Sequence, residues 1–274
     1  MFYQQLISGY RAGGFKLKTY GQVEENGRKY SLYKIVLNNG GRNTLLITTG
    51  FHGEEFNGPI SLLKIIKDAA AYARAKKVNL TAYLCVNPSG FDLKKRYNAS
   101  GEDQNNDFLR YQVAGGKRIS TLKKNEKFSR FKLVNSPAKE VKLLQADLRA
   151  NGLLKKIPAA VLDIHQDDDL SAGDFYAYIF EGQAVYEMMM KAAEKVGKRA
   201  RSVAAMNYED GRKVKYRINK DGFIFLHDGT FTDMFYRLGV QHPITVETNT
   251  RASLSKVSRI NEIWIKSLID LIKT

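Results

Sequence analysis

His52 and Glu55 stand three residues apart in the stretch Thr48-Thr49-Gly50-Phe51-His52-Gly53-Glu54-Glu55-Phe56. Imidazole nitrogen and carboxylate oxygen are donors that a zinc ion accepts in a roughly tetrahedral set, and a catalytic zinc keeps one position open for water. Two donors do not complete such a site, so a third must come from elsewhere. Of the four histidines, at 52, 165, 227 and 242, His165 ends the apolar run Val161-Leu162-Asp163-Ile164 just as His52 follows Leu45-Leu46-Ile47. A lone histidine at a strand end reads more readily as structural. Its pairing with a compact His-x-x-Glu loop tips the reading towards a ligand. A further carboxylate, Glu247, ends the apolar stretch Ile244-Thr245-Val246.

The elements that must position these groups follow from hydrophobic period. Leu45–Ile47 reads as a strand, and Gly58-Pro59 opens a helix to about Arg74 with apolar Ile60, Leu63 and Ile66 on one face. A strand over Leu80–Val86 follows. In an open α/β sheet the carboxyl ends of such strands are where ligands bind. Earlier, residues 1–12 read as a short helix, and 15–23 and 29–36 as an antiparallel pair joined by Glu24-Glu25-Asn26-Gly27. Residues 87–136, rich in Asn, Lys, Arg and Gly, read as one long irregular segment. Ser136-Pro137 reads as the cap and first turn of a helix to Asn151, and 159–164 as a short buried strand. A helix over 182–196 contains Met188, Met189 and Met190, read as core fillers. Residues 208–220 read as polar and basic with a turn at Asp210-Gly211, 223–225 as a strand, 232–237 as a helical turn, and 254–272 as an amphipathic closing helix. Strands alternating with helices predict an α/β fold: a single domain over residues 1–274, with a mixed, mostly parallel central sheet and helices on both faces.

Hydrophobic residues make up 43% and charged ones 26%, which suits a globular enzyme. No run approaches the roughly 20 apolar residues that span a bilayer, and the N-terminus lacks a basic stretch followed by an apolar one. A cytoplasmic location is therefore expected, without membrane association. The single cysteine, Cys85, lies in an apolar run and reads as a buried core thiol. The net charge of +16 favours anionic partners. No nucleic-acid-binding motif accompanies it, which argues against nucleic acid.

The segments Asn87-Pro88-Ser89-Gly90-Phe91, Arg96-Tyr97-Asn98, Gly101-Glu102-Asp103 and Asn105-Asn106-Asp107-Phe108 complete a pattern with His52, Glu55, His165 and Glu247. In that order the chain resembles the zinc carboxypeptidase family (the M14-like metallopeptidases) and the related aspartoacylase and succinylglutamate desuccinylase group, from about Thr48 to Thr248. The resemblance implies a zinc cofactor held by His52, Glu55 and His165. Asp103 would accept the second ring N–H of His52. Arg96 would stabilise the oxyanion, and Glu247 would act as general base for the zinc-activated water and then as proton donor. An active-site tyrosine is also expected, yet the local residues are Phe225 and His227, and that role stays open. His227 reads as a surface group, and Asp167-Asp168-Asp169 as a solvated or calcium-tolerant run.

One departure matters. The family's Asn-Arg pair for the substrate's terminal carboxylate is Asn105-Asn106 here, and neutral Asn106 cannot offer a bidentate charged fork. Either another cation, with Arg110, Arg118, Arg212 and Arg217 as candidates, takes the role, or no free carboxylate is required. The basic loops 117–132 and 212–220 would suit an anionic substrate, a small peptide or an acylated amino acid. The sequence thus reads as a zinc hydrolase of amide bonds, a metallocarboxypeptidase first. An N-acyl amino acid amidohydrolase and a non-catalytic basic binding protein on a degenerate hydrolase fold are the alternatives.

Overall fold

The apolar runs around Leu46, Leu162 and Val246 become three adjacent parallel strands, and the rest of the chain is arranged about them. The computed structural model describes residues 2–273 apart from Asp107, Lys124, Ser136, Pro137, Asp210 and Gly211, and gives backbone but no side chains for the other residues of 206–213. Helix α1 (Phe2–Ala12) leads into the antiparallel pair β1 (Lys18–Glu25) and β2 (Arg28–Leu37), then β3 (Thr44–Thr49), α2 (Asn57–Ala75) and β4 (Asn79–Tyr83). After α3 (Pro88–Leu93), a three-stranded antiparallel sheet is built from β5 (Leu109–Val113), β6 (Arg118–Ile119) and β7 (Phe128–Leu133). There follow α4 (Lys139–Ala150), β8 (Ala160–Asp167), β9 (Phe175–Ile179) and α5 (Gln183–Glu194). The hairpin β10 (Ala204–Glu209) and β11 (Arg212–Arg217), β12 (Phe223–Phe225), α6 (Phe231–Arg237), β13 (His242–Asn249) and α7 (Leu254–Ile272) complete the chain.

The main sheet has the order β1-β2-β4-β3-β8-β13-β9-β12. Its centre, β4-β3-β8-β13, is parallel; the flanks are antiparallel at β1-β2, β2-β4 and β13-β9. A strand covered on both faces needs apolar residues throughout, and β8 is buried at all of its 8 positions. On one face pack α1, α2, α5 and α7, with Leu62, Ile66, Met190, Trp264 and Leu268 in the core. On the other pack α4, α6 and the small sheet, through Leu144, Tyr111, Phe108 and Phe231. Truncating a fully buried leucine such as Leu162 to alanine should cost about 2–5 kcal/mol. Cys85 is buried in the first of these cores.

Chain direction creates the crevice. From β3 the chain crosses to β4 on one side, makes the small sheet, and returns on the other side of β3 as β8. Such a reversal opens a gap at the carboxyl ends of β3 and β8, where no connection covers them.

Five expectations change. Residues 87–136 are not one irregular segment: Leu109-Arg110-Tyr111-Gln112-Val113 alternates buried and half-buried, a two-residue period that Gly- and Lys-rich flanks disguise. The basic stretch 208–220 contributes to a hairpin, although its turn residues Asp210 and Gly211 lie outside the described residues. Strand β9, Phe175–Ile179, is additional. Helix α4 begins at Lys139 after Ala138, with no side-chain cap bond, and the expected cap Ser136-Pro137 lies outside the described residues. Of the three methionines, Met189 and Met190 are core and Met188 is 78% exposed.

Candidate active site

Strand β3 ends at Thr49, and the turn that follows depends on two glycines. Gly50 has φ +67, and a Cβ there would lie 3.0 Å from the Cys85 sulfur. A Cβ on Gly53 would sit 2.0 Å from the Gly90 carbonyl carbon, so only glycine lets this loop press against the one carrying Arg96. The Gly53 N–H donates to the Arg96 carbonyl at 3.2 Å, locking the two loops together. The side chain of Asn87 supports the same contact, donating to the carbonyls of Phe51 and Arg96.

This loop delivers His52 and Glu55 to the crevice, and β8 delivers His165. Glu55 stands between the two imidazoles: Oε1 is 2.6 Å from His52 Nδ1 and Oε2 is 2.9 Å from His165 Nδ1. The donor atoms of all three residues lie within 4.8 Å of one another, and all three side chains are buried. Both imidazoles turn the same nitrogen, Nδ1, inward. His165 Nε2 meets Asp163 Oδ2 at 2.9 Å, a carboxylate behind the imidazole that fixes its tautomer and leaves the inward nitrogen free to ligate. His52 Nε2 is buried without a hydrogen-bond partner, and Asp103, expected to accept its N–H, stands 3.9 Å away, beyond hydrogen-bond reach. Asp163 is itself held by the Thr48 hydroxyl at 2.7 Å, and Phe51 lies parallel to the His165 ring at 6.0 Å.

The charges are mutually dependent. Burial alone would raise the Glu55 carboxyl, but the imidazoles of His165 and His52 reverse this and hold it far below the usual carboxylate range. Burial would likewise lower His165, yet Asp163 and Glu55 keep it well above its ordinary value. A divalent ion binding to such groups takes the place of their protons. Two imidazole nitrogens and one carboxylate fit zinc and leave its fourth position open.

Glu247 lies on β13 in register with His165 on β8. Its Oε2 is buried without a hydrogen-bond partner. Burial pushes its carboxyl well above the ordinary value; Glu55, Asp167 and Asp163 add to this, against an opposing pull from His165. Arg96 closes the other side, with Nη1 3.5 Å from Glu54 Oε1 and 4.0 Å from Glu55 Oε1. Asn105 also lines the cleft, its Nδ2 3.2 Å from His165 Nε2. Asn106 is turned aside, its amide donating to Asp103 Oδ2 at 2.9 Å, and it is not in the cleft wall.

Several groups emerge that sequence spacing did not single out. Asp163 sits two residues before His165, and in a strand that offset puts both on one face; its charge within an apolar run was the available signal. Asp167, two residues after His165, shares that face because β8 continues to it. Far from being solvated, Asp167 is 7% exposed and accepts a hydrogen bond from the Tyr176 hydroxyl at 2.9 Å. Tyrosines do reach the cleft, as Tyr176 and Tyr178 of β9, rather than from the neighbourhood of Phe225. His227 is half-buried, stacked on Phe180 and 3.1 Å from Asp233 Oδ1, and lines a neighbouring groove. Of the candidate cations, Arg110 and Arg118 line a separate pocket, Arg217 lines the neighbouring groove, and the side chain of Arg212 lies outside the described residues.

An α/β sheet that brings two imidazoles, a carboxylate, an arginine and a second acid to its carboxyl edge defines a metallohydrolase-type centre. The chain belongs to the zinc carboxypeptidase family, whose model matches residues 15–268. Among solved structures it is similar to a putative metallopeptidase from Shewanella baltica OS155, at 25% identity over 98% of this chain and 91% of that one, with TM-score 0.66. A putative metallopeptidase from Shewanella denitrificans OS217 gives 23% identity over 99% and 89%, with TM-score 0.66. Bovine thrombin-activatable fibrinolysis inhibitor shares the fold at 15% identity over 98% and 95%, with TM-score 0.63. A search of the curated proteins returns no match. No helix among the described residues is long and apolar enough to cross a membrane.

Proposed function

We propose that the protein is a zinc-dependent hydrolase that cleaves an amide bond with water. The observation that carries this is the convergence of His52 Nδ1, His165 Nδ1 and Glu55 beside the unpartnered carboxylate oxygen of Glu247. Zinc held by His52, Glu55 and His165 would supply Lewis acidity, polarising the carbonyl and lowering the pKa of water to about 7. Glu247, with a buried carboxylate oxygen that has no hydrogen-bond partner, takes the proton of the attacking water and passes it to the leaving amine. Arg96 presents a fixed guanidinium where negative charge grows on the carbonyl oxygen. Asp163 orients the His165 imidazole.

Family membership favours a carboxypeptidase as the first reading. A second, an N-acyl amino acid amidohydrolase, is favoured by one observation: no cation other than Arg96 lines the cleft among the described residues, so nothing replaces the arginine absent at Asn106. The intact set of His52, Glu55, His165, Arg96 and Glu247 speaks against a non-catalytic binding protein. The test is metal analysis with turnover on hippuryl peptides and on N-acylated acidic amino acids. About one zinc per chain is expected, lost in His52→Ala; Glu247→Gln keeps the metal and abolishes turnover. Zinc-free protein at micromolar supply, or full activity in Glu247→Gln, overturns the proposal.

A further inference from the structure

A groove of about 980 Å³ opens beside the cleft and is continuous with it, since Leu226 lines both. Leu122, Phe128, Tyr216 and Phe225 give it an apolar lining, and Phe225 is 50% exposed. Its cations are Lys123, Arg217 and Arg237, against one carboxylate, Glu126, among the described residues. An apolar groove with a few placed polar groups is the usual form of a ligand site.

Arg237, in the last turn of α6, holds its guanidinium in a fixed plane. The guanidinium carbon lies 4.7 Å from the Phe128 ring centre, 5.0 Å from that of Tyr236 and 5.1 Å from that of Tyr111. Nε donates to the Tyr111 hydroxyl at 2.9 Å, and that hydroxyl donates in turn to the buried carboxylate of Asp233 at 2.6 Å. Asp233 stands 3.9 Å from the Nε edge and also takes the Gly229 N–H at 2.9 Å. The two Nη atoms make no hydrogen bond among the described residues, and the side chain is 16% exposed. Tyr236 also stacks at 4.7 Å on Phe180, which lines the cleft, so Arg237 is two ring contacts from the cleft wall. A guanidinium fixed at one edge, with its fork free, matches the two oxygens of a carboxylate.

Sheet order decides which end of a substrate reaches this groove. The strands run β3-β8-β13-β9-β12, so Glu247 on β13 stands between the His52, Glu55 and His165 group and the groove, which begins at β12. Glu247 returns a proton to the leaving nitrogen, which therefore lies on the groove side of the carbonyl. We infer that the leaving part of the substrate runs past Leu226 into the groove, and that Arg237 receives a carboxylate it carries roughly 10 Å from the scissile bond, about two strand spacings. This rests on the amide-hydrolase reading and names its substrate class. About three extended residues span that distance, so a short peptide with its terminal carboxylate fits better than a single amino acid. The carboxylate that both readings place on the leaving part is then met at its far end rather than at Asn106. Hydrolysis adds water across the C–N bond. The acyl carbon keeps the oxygen as a carboxylate, and the leaving nitrogen takes a proton through Glu247, with the remote carboxylate unchanged.

Three matched probes share the hippuryl group: its amide with ω-aminooctanoate, its amide with the uncharged ω-aminooctanamide, and hippurylglycine, whose carboxylate lies beside the scissile bond. Calorimetric titration into zinc-loaded Glu247→Gln protein reads binding without turnover. The octanoate should bind about tenfold more tightly than the octanamide or hippurylglycine, and Arg237→Gln should erase the preference over the octanamide. Arg237→Lys keeps a cation among the rings without the fork, and should lower that preference by about threefold or more. Equal binding of octanoate and octanamide, tighter binding of hippurylglycine, an undiminished preference in Arg237→Lys, or no binding of any probe overturns the inference. Turnover by the unaltered enzyme separates the two readings. Binding in the expected order without cleavage would sink the hydrolase reading alone, whereas cleavage of hippurylglycine with the octanoate left intact would sink only the substrate class.

Discussion

The acidic cleft and the basic face of the small sheet are opposite answers to the same composition. In the cleft, carboxylates outnumber the one guanidinium among the described residues, and Glu55, Asp167 and Asp228 are tied to imidazole, hydroxyl or backbone N–H partners. On the β5–β7 sheet, Arg110, Arg118, Arg130 and Lys132 line one shallow pocket with no carboxylate among its described residues. There Arg110 stands directly across from Lys132, and Gln112 from both Arg118 and Arg130. Facing like charges across a strand pair is unfavourable, and screening by solvent and salt lowers that cost. The lesson is that a net charge of +16 is a sum over the surface and does not give the sign of the field where chemistry occurs.

The contrast breaks first at Arg96, the one cation among the described residues on the acidic side. Arg96→Met should leave zinc content unchanged and lower kcat by about 10²–10³, the loss seen when a single oxyanion donor is removed. Single-turnover rates alongside metal analysis check this; a loss of less than tenfold would take Arg96 out of the transition state. Next is Asp163, whose carboxylate belongs to the cleft's support. Asp163→Asn keeps the shape and an acceptor for Thr48 but weakens the hold on His165 Nε2. Zinc affinity, read by competition with a chelator, should fall about 10–100-fold. Unchanged affinity would reduce Asp163 to a packing group.

Glu140 sharpens the comparison by showing what a buried acid does away from the cleft. It is fully buried near the start of α4, accepts a hydrogen bond from Asn98 Nδ2 at 3.1 Å, and leaves Oε1 without a partner. Burial pushes its carboxyl from 4.5 up to about 7, with Glu25 and Glu102 adding to the effect. The folded state therefore holds this proton more tightly than the unfolded chain. Its stabilising effect is complete below about pH 4.5 and is lost as the pH rises through 7. Glu140→Gln should abolish that dependence, leaving stability near pH 4 unchanged and raising it at pH 8 by about 1–3 kcal/mol. Denaturant titrations at the two pH values provide the check, and an equal effect at both would contradict the raised pKa.

What could be read from sequence was local. His52, Glu55 and the strand–loop–helix around them lie within one short stretch, so spacing alone brings two donors together. His165 was legible because it ends a strand of the same kind. Asp163 was hidden by being counted within its apolar strand, and Asp167 by a strand end placed three residues too early. Tyr176 and Tyr178 required β9, five residues between polar loops whose pairing with β12 and β13 is set by distant segments. The fold class followed from alternating strands and helices. The order of the sheet did not, nor did the acidity of the cleft, because both are made by residues more than a hundred positions apart.

The smallest effect is expected on the basic side. Arg118 and Arg130 are exposed, and Arg130 Nε donates to Gln112 Oε1 at 2.7 Å. Neither lines the cleft. At about 0.1 M salt a surface charge is screened within about 10 Å, so these arginines should not set the field at the scissile bond. The double variant Arg118→Glu, Arg130→Glu should change turnover of a neutral amide by less than about twofold. It should also elute from a heparin column at markedly lower salt, since the lost contacts are those with an anionic polymer. If turnover instead fell tenfold at that salt while the fold was retained, the two regions would not be electrically separate.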